Sequence, residues 1–192
     1  FVILINLCYN KYTINKDYII YYMKIYILNG KAGSGKTTFF ELIEEKCHNY
    51  VFNYSTVDLV KEVATFCGWN GEKTPENRKF LSDLKDLLTE WNDIPYKDCV
   101  QEIHRIECLA NSYDINHNDW AIFIDCREPQ EIQKFVDRLG AKTIFIDREI
   151  KGYIASNHAD AEVENFKYDI IINNNGTLED LAAAAMNFIK TE

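Results

Sequence analysis

Proline and glycine are scarce in this chain, with 3 and 8 among 192 residues. That excludes collagen-like and linker-like sequences. Positive charge is also short: 21 Lys and Arg stand against 30 Asp and Glu, for a net charge of −9. A non-specific nucleic-acid binder needs a basic face, so nucleic acid is not an expected partner. A small anionic ligand remains compatible, because it needs only a local positive pocket. None of the six cysteines, at 8, 47, 67, 99, 108 and 126, is spaced as C-x-x-C. The pattern is neither a zinc ribbon nor a disulfide framework; reduced, mostly buried thiols in a cytoplasmic protein are expected. His104 and Cys108 are four apart and can share a helix face, but two ligands do not make a metal site.

Long hydrophobic runs are missing as well. The apolar stretch Phe1–Tyr9 is broken by Asn6 and is too short to span a bilayer. It lacks a basic leading region and a small-residue cleavage site. Residues 1–22 therefore read as an N-terminal extension, non-native or disordered, ahead of a domain over residues 23–192; the rival reading is a short membrane-surface anchor. No membrane is expected as a partner.

What is present is ordinary globular composition, 47% hydrophobic and 27% charged, in a length suited to one domain. Strand and helix patterns alternate. Lys24–Asn29 is a β-rich run, followed by a helical pattern over Lys36–Cys47 and a second strand at Tyr50–Tyr54. Ser55 and Thr56 are cap candidates for a helix through Cys67, and Gly68–Asn77 reads as a loop. Two helical stripes follow, Phe80, Leu84, Leu87 and Leu88, then Cys99, Ile103, Ile106 and Ala110, with a break near Pro95. Trp120–Ile124 reads as a strand covered on both faces. Pro129 opens a helix that Gly140 stops. Thr143–Ile146 and Asp169–Ile172 are the last strands, and Thr177 caps a final helix with Asp180 in the capping-box position. The expected class is α/β: a doubly wound, five-stranded parallel sheet with helices on both faces and a helical insertion between the second and third strands.

Gly30-Lys31-Ala32-Gly33-Ser34-Gly35-Lys36-Thr37 matches G-x-x-x-x-G-K-[ST] without gaps. It follows an apolar strand and precedes a helix, the context the motif requires. Gly30, Gly33 and Gly35 let the backbone turn and aim its N–H groups inward, and the helix start adds partial positive charge. Lys36 can reach the β- and γ-phosphates, Thr37 offers a hydroxyl to Mg²⁺, and Thr38 is placed for the α-phosphate. Ser34 lies within the same loop. The fold expected is therefore the P-loop nucleoside triphosphate hydrolase fold, with ATP and Mg²⁺ as cofactors.

There is no Asn-Lys-x-Asp guanine motif, since Asn10-Lys11 and Asn15-Lys16 lack the Asp, and Asp137–Gly140 reads as a helix end. A small-molecule kinase is the remaining common class at this size. Asp125 ends the run Trp120–Ile124, and such strand ends face the nucleotide. A carboxylate there can hold Mg²⁺, partly through water, or orient the acceptor; the alternative is an Asp that starts the turn before Pro129. Arg127 can hold an acceptor phosphate bidentately. Lys61, Arg78, Lys79 and Lys85 place cations in the presumed acceptor region, with Arg78 and Lys85 seven apart on one face; paired, solvated helix charges are the alternative. Arg148 and Lys151 follow the fourth strand, where a lid cation can stabilise the transferring phosphoryl group; ordinary loop charges are the alternative there.

On these residues the chain resembles the deoxynucleoside monophosphate kinases of phages and bacteria, relatives of phosphomevalonate kinase and dephospho-CoA kinase. The resemblance is carried by Gly30–Thr38, Ser55–Lys61, Arg78–Lys85, Asp125–Arg127, His158–Glu162 and Ile172–Leu178, and spans roughly residues 24–190. It implies transfer of the ATP γ-phosphate to a nucleoside or deoxynucleoside monophosphate. Lys61, Arg78 and Arg127 would hold the acceptor phosphate, Asp125 would lie near the acceptor, and Arg148 would be the lid arginine. Asn174, Asn175 and Gly176 would lie by the adenine, and His158 and Glu162 match a His/Glu pair frequent in the family. Thr37 departs from the Asp that the family often has there. Two rival functions remain: a kinase for another phosphorylated acceptor, such as dephospho-CoA or phosphomevalonate, and a P-loop ATPase or regulatory nucleotide-binding module.

Overall fold

The computed structural model describes residues 23–47, 50–112, 120–153 and 163–192. The expected extension 1–22 and the pair His158 and Glu162 lie outside the described residues. Five strands and six helices are described: β1 Lys24–Asn29, α1 Lys36–Lys46, β2 Tyr50–Ser55, α2 Asp58–Phe66, α3 Pro75–Asn92, α4 Ile94–Ser112, β3 Trp120–Asp125, α5 Pro129–Leu139, β4 Lys142–Asp147, β5 Ile170–Asn173 and α6 Leu178–Thr191. All strand pairs are parallel, in the order β2-β3-β1-β4-β5. That order and the Gly-rich turn from β1 into α1 define the P-loop NTPase fold.

Strand residues point alternately to opposite faces, and here both faces are covered. On one face Ile25 and Ile27 of β1 and Ile122 and Ile124 of β3 meet Ile103 and Ile106 of α4 and Ile132 and Phe135 of α5. On the other, Tyr26, Leu28, Phe123, Ile144 and Ile146 meet Phe39 and Ile43 of α1 and Leu181, Ala185 and Phe188 of α6. A continuous apolar run such as Trp120–Ile124 is what burial on both faces demands. α2 and α3 pack against α4 and each other outside this sandwich, as the inserted helices.

The helix ends follow local chemistry, with two departures from expectation. Gly140 stops α5 at φ 62°, and Thr177 and Asp180 form a reciprocal capping box on α6. α2, however, is not capped by Ser55 or Thr56. Ser55 belongs to β2, and Asp58 reaches back so that its Oδ2 accepts from the Ser55 N–H at 2.9 Å. The second departure is the start of α3: the expected loop Gly68–Asn77 ends earlier, because Thr74 caps a helix that begins at Pro75. The break between α3 and α4 falls, as expected, near Pro95, at Asp93 in the left-handed region at φ 53°, and Pro95 lies inside the first turn of α4, where a missing N–H costs nothing.

Ile27 is fully buried on the central strand. Ile27→Ala is expected to lower unfolding stability by about 2–5 kcal/mol, read by denaturant unfolding, because the surrounding sandwich cannot collapse onto the cavity.

Candidate nucleotide site

Parallel pairing brings the C-terminal ends of all five strands to one edge of the sheet. Asp125 at the end of β3 pairs with Leu28 of β1 and Ser55 of β2, and Asp147 of β4 pairs with Asn173 of β5. The crevice over these ends, beside the central strand, is where ligands bind in such sheets.

The loop out of β1 begins with a buried polar residue. The Asn29 side chain accepts from the Gly30 N–H at 2.7 Å through Oδ1 and donates through Nδ2 to the Tyr168 hydroxyl at 2.7 Å. Tyr168 in turn donates to the Val163 carbonyl at 2.7 Å. Gly30 has φ 148°, and a Cβ there would lie 2.7 Å from the Ile146 carbonyl oxygen and 2.6 Å from Ser34 Oγ. Only glycine fits that turn. Gly33 and Gly35 also take positive φ, 82° and 99°. The loop then runs into α1, whose first N–H groups have no intrahelical acceptor and face the crevice with the positive end of the helix.

Lys36 opens α1, and its Nζ donates to the Gly30 carbonyl at 2.6 Å and the Lys31 carbonyl at 3.1 Å, so its ammonium lies over the loop. Thr37 is exposed in the first turn, and Thr38 is half-buried behind it. Ser34 is buried, and its Oγ has no partner among the described residues. From the far side, Asn174 is buried and donates through Nδ2 to the Ser34 carbonyl at 2.7 Å. Asn175 Oδ1 accepts from the Glu149 N–H at 2.7 Å, which ties the loop after β5 to the loop that carries Arg148. Gly176 follows, exposed, just ahead of the Thr177 cap.

Asp125 is the carboxylate of this crevice. Burial pushes its carboxyl above the usual aspartate range; Lys36, a hydrogen bond from Asn53 and Arg127 oppose that rise, and Asp58 adds to it. Its Oδ1 is withdrawn from solvent and has no partner among the described residues. A phosphate-loop lysine whose charge acts on a half-buried carboxylate with a spare oxygen, and the Thr37 hydroxyl next to that lysine on α1, are a donor set that fits a nucleoside triphosphate and a divalent cation.

The remaining expected residues divide. Arg127 is half-buried two residues beyond Asp125, and its charge acts on that carboxylate. Lys61 is half-buried on α2 and pairs with Asp58 at 2.8 Å. Arg78 is exposed on α3, with Nε donating to the Lys73 carbonyl at 3.2 Å. Lys79 pairs with Asp83 at 2.6 Å. Arg148 and Lys151 are exposed after β4. Lys85 differs from expectation. It does share a face with Arg78, but where Arg78 is exposed, Lys85 two turns on lies against the protein, and its buried ammonium is held by Glu128 and by Glu131, the latter at 2.8 Å. With two carboxylates already on it, Lys85 is not offered to an anion. Sequence reasoning missed these two acids, and it also missed Asn29, Tyr168 and the Lys31–Glu164 ion pair at 2.8 Å. The one available signal was a polar residue, Asn29, closing an otherwise apolar strand. His104 and Cys108 do share a face of α4, with Nε2 and Sγ 3.7 Å apart.

No family model matches the chain, and no curated protein matches it. Among solved structures it is similar to an APS kinase of Mycobacterium tuberculosis, at 14% identity and TM-score 0.42, covering 88% of this chain and 99% of that one. It is also similar to the shikimate kinase of Aquifex aeolicus, at 14% identity and TM-score 0.43, covering 88% and 96%. A third is the shikimate kinase of Acinetobacter baumannii in complex with shikimate, at 10% identity and TM-score 0.41, covering 92% and 98%. Among the described residues no helix is long and apolar enough to cross a membrane.

Two outcomes follow. Gly30→Ala is expected to abolish ATP binding by calorimetry, because the new Cβ meets a backbone carbonyl that cannot move without disturbing β4. Asp125→Asn is expected to raise the melting temperature at pH 7. A carboxyl whose folded pKa is raised stabilises the fold when protonated and loses that contribution as pH climbs through the folded value, so removing the ionised form relieves a cost.

Proposed function

We propose that this protein is an ATP-dependent phosphotransferase that moves the γ-phosphate of ATP to a phosphorylated small molecule, a nucleoside or deoxynucleoside monophosphate. The observation that carries the reading is the pairing of Lys36 with Asp125: a phosphate-loop ammonium over the loop after β1 and, at the end of the neighbouring β3, a half-buried carboxylate on which its charge acts. A cation that neutralises the transferring group and a carboxylate near the acceptor are what phosphoryl transfer needs; little covalent chemistry is left for the protein.

In this reading the loop Gly30–Thr38 wraps the phosphates of ATP with backbone N–H groups, and Lys36 reaches its β- and γ-oxygens. Thr37 and, partly through water, Asp125 would hold Mg²⁺, which would supply charge neutralisation when bound. Asn174, Asn175 and Gly176 border the base. Arg127, with Lys61 and Arg78 on the inserted helices, holds the acceptor phosphate, and Arg148 steadies the transferring group from the loop after β4. An acceptor phosphate oxygen forms the new bond to the γ-phosphorus while the bond to the β–γ bridging oxygen breaks and ADP leaves. An ionised phosphate is already a nucleophile, so catalysis comes from positioning and electrostatics, with no covalent intermediate.

A second reading draws on Asp125 itself. Its burial-raised pKa and spare Oδ1 also suit a carboxylate that accepts the proton of an attacking hydroxyl, which would favour a small phosphorylated alcohol.

Coupled ADP release from Mg-ATP, with a panel of nucleoside and deoxynucleoside monophosphates, dephospho-CoA and phosphomevalonate, tests these readings. Release that depends on one or a few monophosphates supports the proposal; release with no acceptor supports an ATPase. Lys36→Ala is expected to lower kcat by about 10²–10³-fold, the range for loss of one key electrostatic donor, and near-normal turnover would contradict the assignment.

A further inference from the structure

Lys85 is a lysine 7% exposed, which is rare unless the charge is paired. Its Nζ donates to Glu131 Oε2 at 2.8 Å and to Glu128 Oε2. The Cys126 thiol also donates to Glu131 Oε2, at 3.2 Å. Both acids lie at the start of α5, Glu128 as the cap and Glu131 in the first turn. Cys126, Glu128 and Glu131 lie close enough to suggest a cation site, but the Lys85 ammonium already fills that electrostatic role.

The tie crosses 43 and 46 residues of sequence, from the middle of the inserted α3 to the turn that follows Asp125. Stability alone is a weak reason for it. Taking one ammonium and two carboxylates out of water is costly, and apolar groups of the same volume often hold a core as well or better. What the ion cluster supplies that apolar contact does not is a fixed register. Arg78 lies seven residues before Lys85 on the same face of α3, about two turns or ~10 Å along the axis. Asp125 and Arg127 lie within three residues of Glu128 on the other side of the tie.

We propose that Lys85 is a positioning residue for the acceptor site: its buried ammonium, shared by Glu128 and Glu131, locks α3 and Arg78 in register with the Asp125–Arg127 turn. This rests on the phosphotransfer reading, since it assigns the two sides of the tie to one acceptor. Burial works against the Lys85 charge, but Glu131 and Glu128 outweigh it and hold the ammonium above the ordinary lysine range. The lock therefore stays charged on the lysine side across the neutral range.

The test compares the full chain with Lys85→Met, which keeps the volume and removes the charge. Two readouts are taken: steady-state kinetics with the best acceptor of the panel, and amide hydrogen exchange by mass spectrometry. The proposal expects an acceptor KM raised about tenfold or more with the ATP KM within about twofold, a split that loss of folded protein does not produce. It also expects faster exchange in segments 78–85 and 126–131. Should Lys85→Met fail to fold, Glu131→Gln, which keeps the shape and halves the carboxylate charge on the ammonium, is read the same way. Acceptor and ATP KM rising together, or unchanged exchange in both segments, overturns the proposal. If the wild type shows no acceptor-dependent turnover, the phosphotransfer reading is what fails. The exchange data then judge the lock by itself: faster exchange retains it and unchanged exchange overturns it.

Discussion

The buried amide of Asn29 is the contact on which the site depends. β1 is apolar to its last residue, and there the chain must leave a two-sided core and become a loop of inward-facing N–H groups. A buried loop start would strand its first N–H; Asn29 Oδ1 accepts it. The same side chain spends its donor on Tyr168, and Tyr168 on Val163, so the start of the phosphate loop, the approach to β5 and the segment before it share one chain of hydrogen bonds. Asn174 closes the loop from the opposite side through the Ser34 carbonyl. Two asparagines therefore fix the loop at both flanks. A loop held this way needs little reorganisation when charge develops on a phosphate, and such preorganisation is where electrostatic catalysis gets its advantage.

An acidic protein can still present a cationic crevice, and the structure shows how the charges are sorted. Lys79 pairs with exposed Asp83 and Lys85 is buried between two glutamates, so neither contributes to the crevice. Lys36 and Arg127 instead act on Asp125. That aspartate is held in a place that disfavours its charge. The fold tolerates this cost at the strand end where a carboxylate with a spare oxygen is chemically useful, a common relation between strain in stability and function.

Much of this was legible in the residues. The five strands lie where apolar runs placed them, because burial on both faces leaves few ways to write a parallel strand. Gly30–Thr37 was legible because its glycines answer to backbone geometry and not to distant partners. Lys85 was not. Its spacing from Arg78 gave the shared face correctly, but nothing local says whether that face meets solvent or two acids that arrive 43 and 46 residues later. Asp58 shows the same limit at short range: Ser55 has the right chemistry for a cap, but strand pairing with Asp125 claims it first. Local chemistry is readable when the partner is the backbone a few residues away; side-chain pairs across the fold are not.

The central claim is that the γ-phosphate of ATP ends on a small acceptor molecule. The most direct measurement follows the fate of ATP labelled in its γ-phosphate, by chromatography, in the presence of Mg²⁺ and the acceptor panel. The account predicts label on one or a few phosphorylated acceptors, lost with Lys36→Ala. Label appearing only as inorganic phosphate, at a rate indifferent to every acceptor, would contradict it.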